Sequence, residues 1–210
     1  MDALRKGLAA LNLETSGERV EKLETYLREI ELWNPRYGLV APGEDIVGRH
    51  ILDSLSGLSL IAKRNPRRLA DVGSGAGFPG IPLAVWLDDC EIFLIERSGR
   101  RAGFLRNVAV VLGLSHVQVL EMPVESVDVS RAGFDVVTFR AWSALTTDLT
   151  RSLLALLSPE GCIAAYKGKK DVAMAELAQA GQAGCVSELH ELNVPGEKLP
   201  RHMALIQRST

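Results

Sequence analysis

Cysteine is scarce in this chain of 210 residues: Cys90, Cys162 and Cys185 stand far apart, with no C-x-x-C pair and no histidine at ligand spacing. That distribution argues against a disulfide framework and a zinc site, and a reduced, cytoplasmic protein without bound metal is the simplest expectation. No apolar run approaches the roughly 20 residues of a membrane-spanning helix. The opening Met1-Asp2-Ala3-Leu4-Arg5-Lys6-Gly7 leads into an amphipathic pattern instead of the apolar core of a signal peptide, so export is not expected. An excess of positive charge is also missing. A net charge of -2 leaves no overall field to hold naked nucleic acid. Internal repeats, low-complexity tracts and long linkers are absent from the sequence. What is present, 47% hydrophobic and 24% charged residues, is the composition of a globular protein with a large core and a small extension.

The basic residues are few enough to cancel but are grouped. Lys63-Arg64 and Arg67-Arg68 precede one predicted strand, Arg97, Arg100, Arg101 and Arg106 follow another, and Lys167, Lys169 and Lys170 follow a third. The last two groups fall at strand C-termini, the binding edge of an open α/β sheet. Phosphate contact by Arg101, Arg106 and Lys167 is one reading; solvated side chains on helix faces are the other.

Residues 1–65 read as helical. Thr15 and Glu18 have the spacing of a capping box, Val20, Leu23, Leu27 and Ile30 follow helical periodicity, and Asn34-Pro35 predicts a stop. A second helical run is expected near residues 44–62. From Arg67 onward strands and helices alternate: strands at 69–72, 92–96, 117–120, 134–139 and 162–166, a helix from Pro79, one capped by Ser98 and ended by Gly113, one over 145–157 and one near 171–180. Such alternation implies a parallel sheet covered by helices on both faces. Then the rhythm breaks, because no helix fits between the apolar stretches 187–194 and 202–207. They are expected to pair as an antiparallel hairpin at the sheet edge, which gives seven strands in all. Residues 66–210 would form the main unit and 1–65 its extension.

The most informative segment is Leu69-Ala70-Asp71-Val72-Gly73-Ser74-Gly75-Ala76-Gly77-Phe78-Pro79-Gly80, an apolar strand running into a glycine loop, with Glu96 closing the next strand. Alternate glycines let backbone lie against a ligand, and a carboxylate at the end of the second strand can accept both hydroxyls of a ribose. With Gly73 and Gly75 as the first glycines of a dinucleotide fingerprint, the third position falls on the bulky Phe78, which disfavours a pyrophosphate. Asp71 is badly placed to face a phosphate and well placed to attract an ammonium. S-adenosylmethionine carries an ammonium, a sulfonium, an adenine and a free ribose without phosphate. Asp71 is accordingly expected toward its amino-acid end and Glu96 on its ribose. An ordinary glycine-rich turn with a solvated aspartate, and a nicotinamide-dependent oxidoreductase, stay open on these residues alone.

Methyl transfer is an in-line displacement governed by positioning and electrostatics. The Asp/Asn-Pro-Pro-aromatic turn used for exocyclic base amines is missing: after the fourth strand the chain reads Arg140-Ala141-Trp142-Ser143. None of the cysteines lies in a loop suited to carbon methylation of pyrimidines. A ring nitrogen with an available lone pair, such as guanine N7, needs no general base. Arg140 is the candidate side chain for the acceptor, since a guanidinium can fork onto or stack against a base; bonding to strand-end carbonyls is its alternative role. Trp142 and Phe78 can stack on the acceptor base or on adenine, or simply pack. Val124-Glu125 follow the third strand, where such folds hold adenine. The four histidines, His50, His116, His190 and His202, have no partner by spacing.

The run Asp71–Leu83 closely resembles the bacterial small-subunit rRNA guanine-N7 methyltransferases of the RsmG (GidB) family, as do Arg49-His50-Ile51-Leu52-Asp53-Ser54-Leu55, Phe104-Leu105-Arg106 with Arg101, Arg140-Ala141-Trp142-Ser143-Ala144-Leu145, Tyr166-Lys167-Gly168, and Trp33-Asn34 with Tyr37-Gly38-Leu39. The resemblance implies a class I S-adenosylmethionine-dependent methyltransferase fold and transfer to N7 of a guanine in the decoding-region loop of 16S rRNA, with the small subunit as substrate. It places cofactor contacts on Gly73, Phe78, Val124, Glu125 and Arg140. Two departures stand out: the family often has aspartate at Glu96 and lysine at Arg100. A ribosome-binding factor without catalysis would share much of this pattern.

Overall fold

The computed structural model describes residues 2–141 and 143–209. A seven-stranded sheet in the order β3-β2-β1-β4-β5-β7-β6 forms its centre. The strands are β1 (Arg68–Val72), β2 (Glu91–Ile95), β3 (Val117–Leu120), β4 (Phe134–Arg140), β5 (Leu157–Lys167), β6 (Cys185–Leu192) and β7 (Arg201–Arg208). The first five are mutually parallel; β7 runs antiparallel between β5 and β6. Alternation along each strand explains the apolar runs. Leu69, Ile92, Leu94 and Val136 enter one core, while Ala70, Phe93, Ile95 and Val137 enter the other, so neither face is left to water. The order reverses between β1 and β4, which puts the crevice at the C-terminal ends of these two strands.

Helices α1 (Asp2–Ala10) and α2 (Glu18–Tyr37) cover the first face. In α2 the side chains of Val20, Leu23, Tyr26, Leu27 and Ile30 are buried, each contributing roughly 1.5–3 kcal/mol of transfer free energy. Two expectations for this helix are corrected. Thr15 caps nothing, because α2 starts at Glu18 with Gly17 at the N-cap; and Pro35 does not stop it, because a proline in the last turn deletes only one backbone bond while Gly38 closes the helix in a left-handed cap, its N–H on Asn34 O.

The expected run over 44–62 is broken into a π-helix (Val47–Leu52), α3 (Asp53–Ser56) and α4 (Leu58–Ala62). Farther along come α5 (Gly80–Ala84), α6 (Gly99–Val111), a 3₁₀ turn (Val124–Ser126), α7 (Val129–Ala132), α8 (Thr147–Ala155) and α9 (Lys170–Gly181). Ser98 holds the N-cap position of α6, but its side chain makes no capping bond. Helix α8 starts two residues later than expected, where Thr146 Oγ1 accepts from Leu149 N. Strand β5 absorbs Ser158-Pro159-Glu160-Gly161, which the sequence suggested as a stop; its pairing with β4 shifts register there.

Candidate active site

The glycine loop is built on the end of β1. Gly73 N and Ser74 N both donate to Ile95 O of β2, and Gly77 N and Phe78 N donate to Ser74 O. Ser74 Oγ donates to Asp71 O at 2.8 Å and locks the first turn. Gly75 takes a φ of 58°, in the left-handed region that favours glycine, and a Cβ there would meet nothing nearer than Gly73 O at 3.8 Å.

Glu96 lies where the spacing places it, against that loop. Its Oε2 accepts from Gly75 N at 2.9 Å and its Oε1 from Ser98 N at 2.8 Å, so one buried carboxylate joins the loop to the start of α6. Each oxygen keeps a lone pair for a further donor. A hollow of about 210 Å³ opens beside it, walled by Val72, Gly73, Ile95, Met122, Pro123 and Val124 and rimmed by Arg97, Arg101 and Glu125. These residues fit an adenosine: apolar walls for the base, a carboxylate for ribose hydroxyls. They do not fit a diphosphate, because Glu96 puts negative charge on the loop donor that a phosphate would need.

Asp71 lies beneath the loop, fully buried, with Oδ2 accepting from Gly80 N at 3.0 Å and Oδ1 without a hydrogen-bond partner. Burial pushes its carboxyl up to about 7. Phe78 is also buried, and instead of an open platform it is a packed one. Its ring stacks on His50 at 4.8 Å, tilts against Tyr26 at 5.5 Å and carries the Arg140 guanidinium 5.2 Å above it.

Arg140 ends β4, as expected, and its guanidinium is held from the N-terminal elements. Nη1 donates to Arg49 O at 2.7 Å and Asp53 Oδ2 at 2.9 Å; Nη2 meets His50 Nδ1. Buried Asp53 also lies 3.3 Å from Arg201 Nε of β7, and Tyr166 Oη of β5 donates to Ser54 O at 2.5 Å. A second hollow of about 420 Å³ opens next to these groups, with Arg140, Ser143, Tyr166, Lys167, Glu176 and Arg201 in its lining. Lys167 is neutralised within it by Glu176 at 2.5 Å. The structure thus gathers Gly73, Glu96, Val124, Glu125 and Arg101 around one hollow, and Arg140 and Lys167 around the other.

Arg106 belongs to neither hollow: it pairs with Glu121 at 2.8 Å and lines a separate groove with Val110, Leu114 and Val117. Trp142 lies outside the described residues. Sequence reasoning missed Tyr26, His50 and Asp53 as parts of the site. For His50 and Asp53 the signals were their placement three residues apart on one helical segment and the family-like run Arg49–Leu55 that holds both; Tyr26 had none. Among the described residues, no group of three or more His, Cys, Asp or Glu side chains is arranged to hold a metal, and no helix is long and apolar enough to cross a membrane.

The family model of GidB, rRNA small subunit methyltransferase G, matches residues 19–204. The chain belongs to the GidB family. Ribosomal RNA small subunit methyltransferase G of Chromobacterium violaceum is 39% identical over 204 residues, covering 95% of this chain and 94% of that one. The protein of the same description from Neisseria gonorrhoeae is 36% identical over 209 residues, 99% and 98% of the two chains. Among solved structures, M. jannaschii TYW2 in complex with AdoMet shares the fold over 71% of this chain and 76% of its own, with a TM-score of 0.53 at 17% identity. GidB membership makes this protein an rRNA methyltransferase. The oxidoreductase alternative falls with it.

Proposed function

We propose that this GidB protein transfers the methyl group of S-adenosylmethionine to N7 of a guanine in 16S rRNA, in the cytoplasm, on a substrate presented by the small ribosomal subunit. The observation that carries the choice of atom is the state of the acids around the second hollow. Asp53 is tied to Arg140 and Arg201, and Glu176 to Lys167, so both carboxylates are turned to cations and not to an acceptor in the hollow. An acceptor that must first lose a proton is poorly served by such groups. Guanine N7 offers its lone pair directly.

In this reading the bound donor supplies an electrophilic methyl carbon on a sulfonium. Gly73 and Gly75 bring backbone against it, Glu96 accepts from the ribose, and Val124 with the backbone at Glu125 holds the adenine. Asp71, buried under the loop, acts on the amino-acid end through space. Arg140, held over Phe78, lines the acceptor hollow and orients what enters it. Arg101 at the rim and Lys167 in the cleft serve the RNA phosphates, and residues 1–65 act as an extension that completes the site.

The test is to incubate the purified protein with labelled donor and either naked 16S rRNA or small subunits from cells lacking this enzyme, then map the label. A single N7-methylguanosine obtained from subunits supports the reading. Label on another atom, or binding without transfer, overturns it.

A further inference from the structure

Nothing in the expected chemistry assigns a task to His50, yet the side chain is packed against Arg140, which lines the second hollow, and against Phe78 of the glycine loop. Arginine can only donate hydrogen bonds, so contact between Arg140 Nη2 and His50 Nδ1 makes Nδ1 an acceptor and puts the ring proton on Nε2. The same ring is stacked on Phe78 at 4.8 Å with an interplanar angle of 26°, and Phe78 also lies under the Arg140 guanidinium. One imidazole therefore meets Arg140 through a ring nitrogen and Phe78 through its face.

We propose that His50 is a positioning residue for methyl transfer: as a neutral imidazole it fixes the Arg140 guanidinium against Phe78, and protonation releases Arg140 by turning the acceptor into a second donor. The inference rests on the proposed function and deepens it. The backbone supports the assignment. His50 lies in the π-helix, a rare geometry that recurs at functional sites, and the preceding carbonyl, Arg49 O, accepts from the same guanidinium. Three bonds from Arg49, His50 and Asp53 thus come from one short segment and hold both terminal nitrogens of Arg140.

The charges around the ring decide which form it takes. Arg140 faces it from β4, Glu44 Oε2 lies 3.2 Å from Nε2 on the segment before the π-helix, and Asp53 and Arg49 flank it on its own segment, Arg49 itself lying 3.5 Å from Glu44. Burial, then the Arg140 charge, hold His50 below the ordinary histidine range, and the two carboxylates only partly offset them. The imidazole is neutral at pH 7 and charges only under acid conditions. In acid, two cations would face each other at hydrogen-bond distance, and Arg140 would lose its acceptor.

Two substitutions and one spectroscopic measurement test this. His50→Phe keeps a ring on Phe78 but offers no acceptor; His50→Asn keeps an acceptor near the place of Nδ1 but cannot titrate. With saturating donor and small subunits, His50→Phe is expected to lower kcat at least tenfold at neutral pH, where wild-type His50 is uncharged. Wild type is expected to lose kcat in an acid limb that falls below the ordinary histidine range, and His50→Asn to lack that limb. Asp71 titrates in both chains, so only the difference between their profiles counts. Independently of turnover, NMR titration of the ligand-free protein should show the Nε2–H tautomer of His50 and a pKa that rises in Arg140→Ala. If wild type and His50→Asn share the acid limb, or if the pKa of His50 ignores Arg140, the inference fails even though methylation persists. A wild type that never methylates subunits overturns the proposed function instead. Should His50→Phe not fold, the His50→Asn profile and the titration still decide.

Discussion

The Tyr26 hydroxyl donates to Ala76 O at 2.6 Å, tying helix α2 to the glycine loop across 50 positions of sequence. The phenol is fully buried, and its ring rests against Phe78, so the N-terminal helix grips the loop both at its carbonyl and at its aromatic residue. Tyr26→Phe keeps the ring and strands the carbonyl. A buried acceptor left without a partner costs about 1–3 kcal/mol. The expected result is a loss of that size in urea denaturation together with a several-fold weaker dissociation constant for S-adenosylmethionine by calorimetry. A stability loss with unchanged donor affinity would show that α2 supports the fold and not the loop.

Asp71 makes stability depend on pH in an unusual direction for an aspartate. Its folded-state pKa, about 7, lies above the unfolded value near 4, so the unfolded chain gives up its proton first. The stabilisation it permits is complete below about pH 4 and is lost as pH rises to about 7, at about 1.4 kcal/mol per unit. Asp71→Asn retains an oxygen for Gly80 N and does not titrate. The melting temperature of this variant, relative to wild type, should therefore climb between pH 4.5 and pH 8. A gap of constant size across that range would show that Asp71 ionises at ordinary pH.

Arg140→Ala removes the guanidinium from the second hollow while leaving Arg201 beside Asp53 as a counter-charge. The variant should remain folded by circular dichroism and lose methyl transfer at least 100-fold, a change of about 2.7 kcal/mol in the barrier. Near-normal turnover would remove Arg140 from the mechanism. Arg140→Lys should recover little, because an ammonium cannot reach Arg49 O, Asp53 and His50 Nδ1 together from one planar fork.

The parts of this molecule that could be read from the sequence share a physical cause: a local signal or a fixed spacing. Strands β1, β2 and β4 are buried on both faces and stand out as apolar runs, and Glu96 follows the glycine loop at the interval that a βαβ unit imposes. The hairpin of β6 and β7 follows from having no room for a helix between two strands. What stayed hidden is long-range. Arg140 meets Asp53 across 87 positions and Tyr166 meets Ser54 across 112, and no periodicity encodes either. The π-helix was illegible for the same reason: the contacts that its Arg49 and His50 make to Arg140 of β4 are not written in any local preference of Val47–Leu52. Pro35 misled because a proline marks a boundary only when the following turn lacks another way to close.

Two glycines, 26 positions apart, should respond in opposite ways to the same added methyl. A Cβ at Gly77 would lie 2.7 Å from Ile81 Cγ1 and 2.8 Å from Tyr26 Oη, on a backbone with φ of 103° that side chains rarely adopt. Gly77→Ala must then either push Tyr26 off Ala76 or twist the loop, and a cost of about 2–4 kcal/mol is expected from strain and overpacking. Gly103 lies exposed within α6 with nothing inside 4 Å of the added carbon. There Gly103→Ala should stabilise by about 0.5–1 kcal/mol, through the lower entropy of the unfolded chain and better helix propensity. Denaturation of the two variants beside wild type separates the ideas cleanly: a mild effect at Gly77 would mean that the loop is free to move away from α2, and the coupling between Tyr26 and the donor pocket would fall with it.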